Sequence, residues 1–154
     1  MKKVNIKLLI LSLAIPLVVG GVAALIIRNH LGIYDDLNLP SFAPPYYVFG
    51  IVWGILYVLM GISFYLALRD KNCDNEIIIL FAVQLFFNFC WPIAFFNFKL
   101  FWFSFVWLLV LMCLVVWLTI KYFRINRIAG WLQIPYIAWL IFASVLNLVI
   151  AIMN

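Results

Sequence analysis

The stretch Leu39–Tyr57, LPSFAPPYYVFGIVWGILY, decides how the rest of the chain is read. Pro44 and Pro45 lack backbone donors and push the residues before them toward extended conformations. They suit the last non-helical turn ahead of a helix, whose first N–H groups need no partner. From Tyr46 to Leu68 the chain then stays apolar, close to the ~20 residues that cross a hydrocarbon core as helix. Trp53 and Tyr57 lie one turn apart on one face of that helix.

Working outward, comparable apolar runs cover residues 6–27, 77–98, 100–122 and 128–153, so with 46–68 there are five. Of the 154 residues, 69% are apolar and 10% charged, whereas soluble domains carry about 25% charged residues. The fold expected is all-α, an integral membrane bundle of five transmembrane helices forming one domain over residues 1–154. A membrane barrel would alternate polar and apolar positions, and these runs are apolar all round.

Eight of the ten Lys and Arg residues (Lys2, Lys3, Lys7, Arg69, Lys71, Lys121, Arg124 and Arg127) fall at ends that a five-pass chain places on one side. Only Arg28 and Lys99 fall on the other. The positive-inside rule then puts the N-terminus in the cytoplasm and the C-terminus outside, in a multi-pass protein of the cell membrane. The net charge of +5 serves orientation, and no basic stripe beside exposed aromatics points to nucleic acid. The first run resembles a secretory signal, but its length and the four runs after it favour a retained helix.

Within that helix Ser12, Pro16, Gly20 and Ala24 recur every four residues, a small-residue stripe that lets another helix, of this chain or of a second copy, approach closely. The connection 28–45 is long for a bundle of tight hairpins and carries Tyr34, Leu37, Leu39 and Phe42 at intervals. It reads as a lid over one mouth of the bundle. Asp70, Asp74 and Glu76 read as a solvated turn. In the second helix Phe49, Trp53, Tyr57, Met60 and Phe64 form one aromatic stripe, suited to packing or to a ligand.

The third helix carries the most informative polar groups. Gln84, Asn88, Trp91 and Phe95 share a face, and an amide facing lipid would leave its donors and acceptors unpaired, so both amides look inward. Their partners are either another helix or a ligand. Pro92 removes a helix hydrogen bond to the Asn88 carbonyl and should kink the helix there. The fourth helix reads as a lipid-facing or packing element. In the fifth, Trp139, Ala143 and Asn147 share a face with a notch beside the indole.

All five carboxylates lie in loops, and no Lys, Arg or His is centred in a span, which disfavours proton-coupled pumping. His30 has no evident nucleophile to assist, and Cys73, Cys90 and Cys113 lack metal-site spacing. No metal site and no required cofactor are expected. What remains is an aromatic cavity with a few amides and hydroxyls, the kind of site that holds a large, flat, mostly apolar molecule.

Four segments together resemble the tryptophan-rich sensory protein and translocator protein (TspO/MBR) family. They are Leu37-x-x-Pro40-x-Phe42-x-Pro44-Pro45; Val52-Trp53-x-x-Leu56-Tyr57-x-x-Met60-Gly61; Gln84-Leu85-x-x-Asn88-x-x-Trp91-x-x-x-Phe95-Phe96; and Pro135-Tyr136-x-x-Trp139-x-x-Phe142-Ala143-x-x-Leu146-Asn147. The resemblance implies a homodimer of five-helix bundles that binds porphyrins such as protoporphyrin IX beneath the first loop. Carried onto this chain, it implies a pocket of Tyr34, Pro44, Phe49, Trp53, Tyr57, Asn88, Trp91, Trp139, Ala143 and Leu146, with Gln84 beside Asn88 at the polar edge. It implies that Trp53 and Asn88 hydrogen-bond a ligand carbonyl, and that Trp53 and Trp139 act if bound porphyrin is degraded by light. Ile33 and Phe42 stand where the family usually carries tryptophans. No Tyr followed by Lys or Arg comes after the fifth helix, so sterol recognition by that motif is not expected.

Four functions follow: porphyrin binding for sensing, sequestration or transfer under stress; photo-oxidative porphyrin degradation; facilitated transport; and a ligand-free membrane scaffold. In the first two the porphyrin is ligand or substrate, and the hard chemistry belongs to the pigment.

Overall fold

A computed structural model describes residues 4–154, and among these every regular element is helical. Lys2 and Lys3, two of the eight charges used for orientation, lie outside the described residues. Five long helices are apolar and long enough to cross a membrane: α1 (Ile6–Ile27), α2 (Tyr46–Leu68), α3 (Asn75–Pro92), α4 (Phe101–Ile125) and α5 (Ile134–Met153). α1 packs on α2 and α3, α3 on α4, and α4 on α5.

The first two helices have the expected bounds, and the other three differ for local reasons. Asp74 caps α3 by accepting the Ile77 N–H at 3.0 Å, so α3 starts two residues before Ile77. After Pro92 the chain continues as a π-helical turn, Ile93–Asn97, the wider winding that a missing proline donor permits. α4 runs on through Lys121 and Arg124 to Ile125. The last run is broken into a short helix, Arg127–Trp131, and α5, with Pro135 in the first turn of the second piece, where its missing N–H costs nothing.

Lipid tails are as apolar as leucine, so helix association in a bilayer rests on close backbone approach and interhelical hydrogen bonds. Both operate at the end opposite the 28–45 loop. A Cβ on Gly61 would lie 2.8 Å from the Leu13 Cα and the Ser12 carbonyl oxygen; further along α1, toward the loop, one on Gly20 would strike the Tyr57 ring. The small-residue face of α1 is thereby used within the chain, against α2, with Ser12, Pro16, Gly20 and Ala23 buried. The Ser63 hydroxyl donates to the Ala129 carbonyl at 3.0 Å, and Phe64 stacks on Phe81 at 3.8 Å.

Two of the carboxylates expected in a solvated turn do more than that. Lys121 of α4 bridges Asp74 at 3.2 Å and also meets Glu76, joining α4 to the start of α3. The Ile77 N–H, with Lys121 behind it, holds the Asp74 carboxyl below its ordinary range. Asp70 remains a turn residue, accepting the Asn72 N–H.

Candidate functional site

The 28–45 connection is folded rather than trailing. Arg28–His30 makes one 3-10 turn and Ile33–Asp36 one α-turn, and before Pro45 the Ala43 N–H closes a further turn on the Pro40 carbonyl at 2.9 Å. Tyr34 is only 2% exposed, and its hydroxyl donates to the Pro44 carbonyl at 3.0 Å, pinching the loop closed. Burial, with Asp35 adding to it, pushes the Tyr34 phenol up to about 12. Leu37 and Leu39 pack against the core, and Phe42 meets Phe142 edge-on. Asn38 and Asn154 exchange hydrogen bonds of 3.0 and 3.1 Å, fastening the loop to the end of α5.

At this end α1, α2 and α3 enclose a cavity of about 450 Å³. Its α2 wall is Phe49, Gly50, Trp53, Gly54 and Tyr57; its α3 wall is Asn88, Trp91 and Pro92; its α1 wall includes Gly20, Gly21, Ala23 and Ala24. Cβ atoms built on Gly21, Gly50 or Gly54 would meet nothing within 4 Å. No charged side chain lines this space. The volume lies in the range of small-molecule sites, which are mostly apolar with a few placed polar groups.

The polar groups behind the cavity are nearly all engaged. Tyr57 donates to Asn88 Oδ1 at 2.7 Å, Asn88 Nδ2 donates to the Tyr136 oxygen at 2.7 Å, and Tyr136 donates to Gln84 Oε1 at 3.2 Å. This buried chain ties α2, α3 and α5 together. The inward-looking amides thus bond first to other helices, although Asn88 keeps one N–H and one lone pair beyond those the tyrosines use. Trp91 Nε1 donates to Asn147, whose amide in turn donates to the Phe101 carbonyl.

Trp53 stands apart: among the described residues its indole N–H has no partner. Its ring contacts Tyr57, Trp91 and Tyr136 at centroid distances of 5.7, 6.4 and 5.9 Å. An apolar hollow with an unpaired indole donor on its wall, beside the remaining N–H of Asn88, suits a flat guest bearing a hydrogen-bond acceptor.

A sequence profile of the TspO/MBR family matches residues 12–153. The chain belongs to the TspO/MBR family. The tryptophan-rich protein TspO of Archaeoglobus fulgidus is 33% identical over 152 residues, covering 97% of this chain and 99% of its own. The translocator protein of Homo sapiens is 34% identical over 118 residues, 74% of this chain and 70% of its own. The tryptophan-rich sensory protein of Cereibacter sphaeroides is 32% identical over 116 residues, 74% of this chain and 72% of its own. With five apolar helices, this TspO/MBR chain is a multi-pass integral membrane protein.

The residues expected to form one TspO/MBR-type pocket divide between two spaces. Phe49, Trp53, Tyr57, Asn88 and Trp91 line the large cavity. Tyr34, Ala143 and Leu146 instead line a void of about 10 Å³ beneath the loop, with Phe49 and Trp91 again on its wall. That is room for about one water. Pro44, Gln84 and Trp139 line neither. Trp139 packs edge-on against Phe49 at 5.6 Å, and its Nε1 is buried without a partner. The sequence does not announce the α1 wall, because Gly20 and Ala24 belong to a stripe of small residues that equally suits helix packing. The paired glycines at 20/21 and 50/54 were the available signal.

Proposed function

We propose that this protein binds porphyrin-type tetrapyrroles, or flat apolar molecules like them, in the cavity beside Trp53, for sensing, sequestration or transfer in the membrane. One observation supports this most: a cavity of about 450 Å³ with uncharged walls, on which the Trp53 indole N–H stands without a partner among the described residues. The macrocycle would lie along the glycine faces of α1 and α2 and stack on Trp53. Its acceptor groups would take the Trp53 N–H and the remaining capacity of Asn88. On the charge bias, the loop end faces outward and the Lys121 end faces the cytoplasm.

The test is a titration of the detergent-solubilised protein with protoporphyrin IX, read as quenching of tryptophan fluorescence. Saturable quenching is expected, weakened about tenfold in Trp53→Phe by loss of the donor and of stacking area. A native protein that shows no saturable quenching rules the reading out and leaves a ligand-free scaffold.

A second reading, light-driven degradation of the bound pigment, is favoured by the contact of Trp53 with the cavity and with three further aromatic rings. Trp53 would then be the indole next to the excited pigment. Illumination in air should bleach bound porphyrin faster than free porphyrin, with the excess lost in Trp53→Phe. Equal bleaching of bound and free pigment removes this reading and leaves the first intact.

A further inference from the structure

We propose that Phe49 is a size filter that splits the binding site into two compartments, an inference that rests on the cavity being a ligand site. The large cavity and the small void beneath the loop share three lining residues, Phe49, Trp91 and Phe96. Two of these are fixed. Trp91 is 5% exposed and tied by its N–H to Asn147; Phe96 is 5% exposed and packed against Phe95 at 4.9 Å.

Phe49 is different. It is half-buried and has no polar anchor, and it rests edge-on against Tyr34 and Trp139, each at 5.6 Å. Next to it Gly50 leaves open space on the cavity side, where a Cβ would meet nothing within 4 Å. The ring has room to turn that way about its χ1 bond, whereas Trp91 would have to break a buried hydrogen bond to move.

Behind Phe49 stand Ala143, a small side chain beside the void, and Trp139, whose Nε1 is buried with no partner. An unpaired buried donor is uncommon in a folded protein and calls for a physical reason. Displacing Phe49 supplies one, because a guest reaching past it presents an acceptor to that N–H. A guest of two fused rings fits the α1-side compartment and uses Trp53 alone. A tetrapyrrole is larger, displaces Phe49 and gains Trp139 as a second donor, so this residue sets the size threshold of the site.

The experiment compares equilibrium binding of naphthalene-1-carboxamide and protoporphyrin IX to the native protein, Phe49→Ala and Phe49→Trp. The quantity read is the ratio of the two affinities, porphyrin over naphthamide. It should rise about fivefold in Phe49→Ala, where no ring has to be displaced, and fall about tenfold in Phe49→Trp, where a larger one does. Adding Trp139→Phe to Phe49→Ala should remove about threefold of the gain. If Phe49→Ala does not fold, Phe49→Leu takes its place beside Phe49→Trp. A ratio that stays within about twofold in the Phe49 variants overturns the filter and leaves the binding reading standing. A native protein that binds neither guest overturns both.

Discussion

The two ends of the bundle are built on opposite principles. At the end holding Lys121, backbone meets backbone: Gly61 lies against Ser12 and Leu13, Phe64 lies flat on Phe81, and an ion pair joins α3 to α4. At the loop end the same helices stand apart. The gap between α1, α2 and α3 is left open, and that between α2 and α5 is filled by rings meeting mostly at edges. At the loop end the Trp139 indole donor is buried without a partner, and the Trp53 donor faces the open gap. A bilayer gives helices no hydrophobic reason to associate, so tight contacts at one end hold the bundle while the other stays hollow. The buried chain from Tyr57 to Gln84 crosses between them and belongs to both.

That contrast can be broken at its centre. Asn88→Leu would strand the Tyr57 and Tyr136 hydroxyls, and with each buried orphan costing 1–3 kcal/mol the loss should be ~3 kcal/mol. Reversible unfolding in detergent measures it, and a variant as stable as the native protein would show that the amide serves a ligand alone.

Next in size is a comparison of two glycines on one helix. Gly61→Ala presses a methyl into the α1 backbone and should cost ~2 kcal/mol. A Cβ at Gly54 meets nothing within 4 Å, so Gly54→Leu should stay within ~0.5 kcal/mol of native stability while its side chain fills the cavity and porphyrin affinity falls about tenfold. If the two were equally destabilised, the ends would not differ as described.

Lys121→Met should lower stability only modestly, since the partners of the lysine are exposed to solvent that screens the pair. The pH dependence follows from the lowered Asp74 carboxyl. A depressed folded-state pKa gives stability that is present above the ordinary carboxylate range and is lost as pH falls through the folded value. The difference between native protein and Lys121→Met should therefore close on acidification, and a gap unchanged at low pH would argue against the pair.

The smallest expected effect is in the loop. Tyr34→Phe deletes one hydrogen bond, worth ~1 kcal/mol, and should appear as faster amide exchange across residues 28–45 with little change in global unfolding. The Tyr34 phenol has a raised folded-state value of about 12, so its contribution is intact below its ordinary value of about 10 and disappears as pH climbs through 12. Alkaline loosening of the loop in the native protein, absent from Tyr34→Phe, would confirm the sign.

Much of this was legible in the sequence. α1 and α2 were readable to the residue because Pro45, Arg28 and Arg69 punctuate them. The break before α5 was not, although Pro135 marks a first helical turn when read with the Arg127–Trp131 segment ahead of it. Gln84 and Asn88 declared an inward face, because an amide in an apolar span has nowhere else to go. Their partners, Tyr57 and Tyr136, depend on how three helices are spaced, which no local pattern records. The same holds for Trp139, which sits behind Phe49 because α2 and α5 are held a ring's width apart. Glycine says that something comes close, without saying whether it is a helix or a guest.

The hydrogen-bonded chain through the middle of the bundle has one more consequence. It runs from phenol to amide to phenol to amide, with no carboxylate, imidazole or amine along it. Amides at these positions neither take up nor release a proton at physiological pH. The inner wall of the hollow is thus built from groups that keep their charge state across the physiological range, and it offers a proton no ionisable stepping stone.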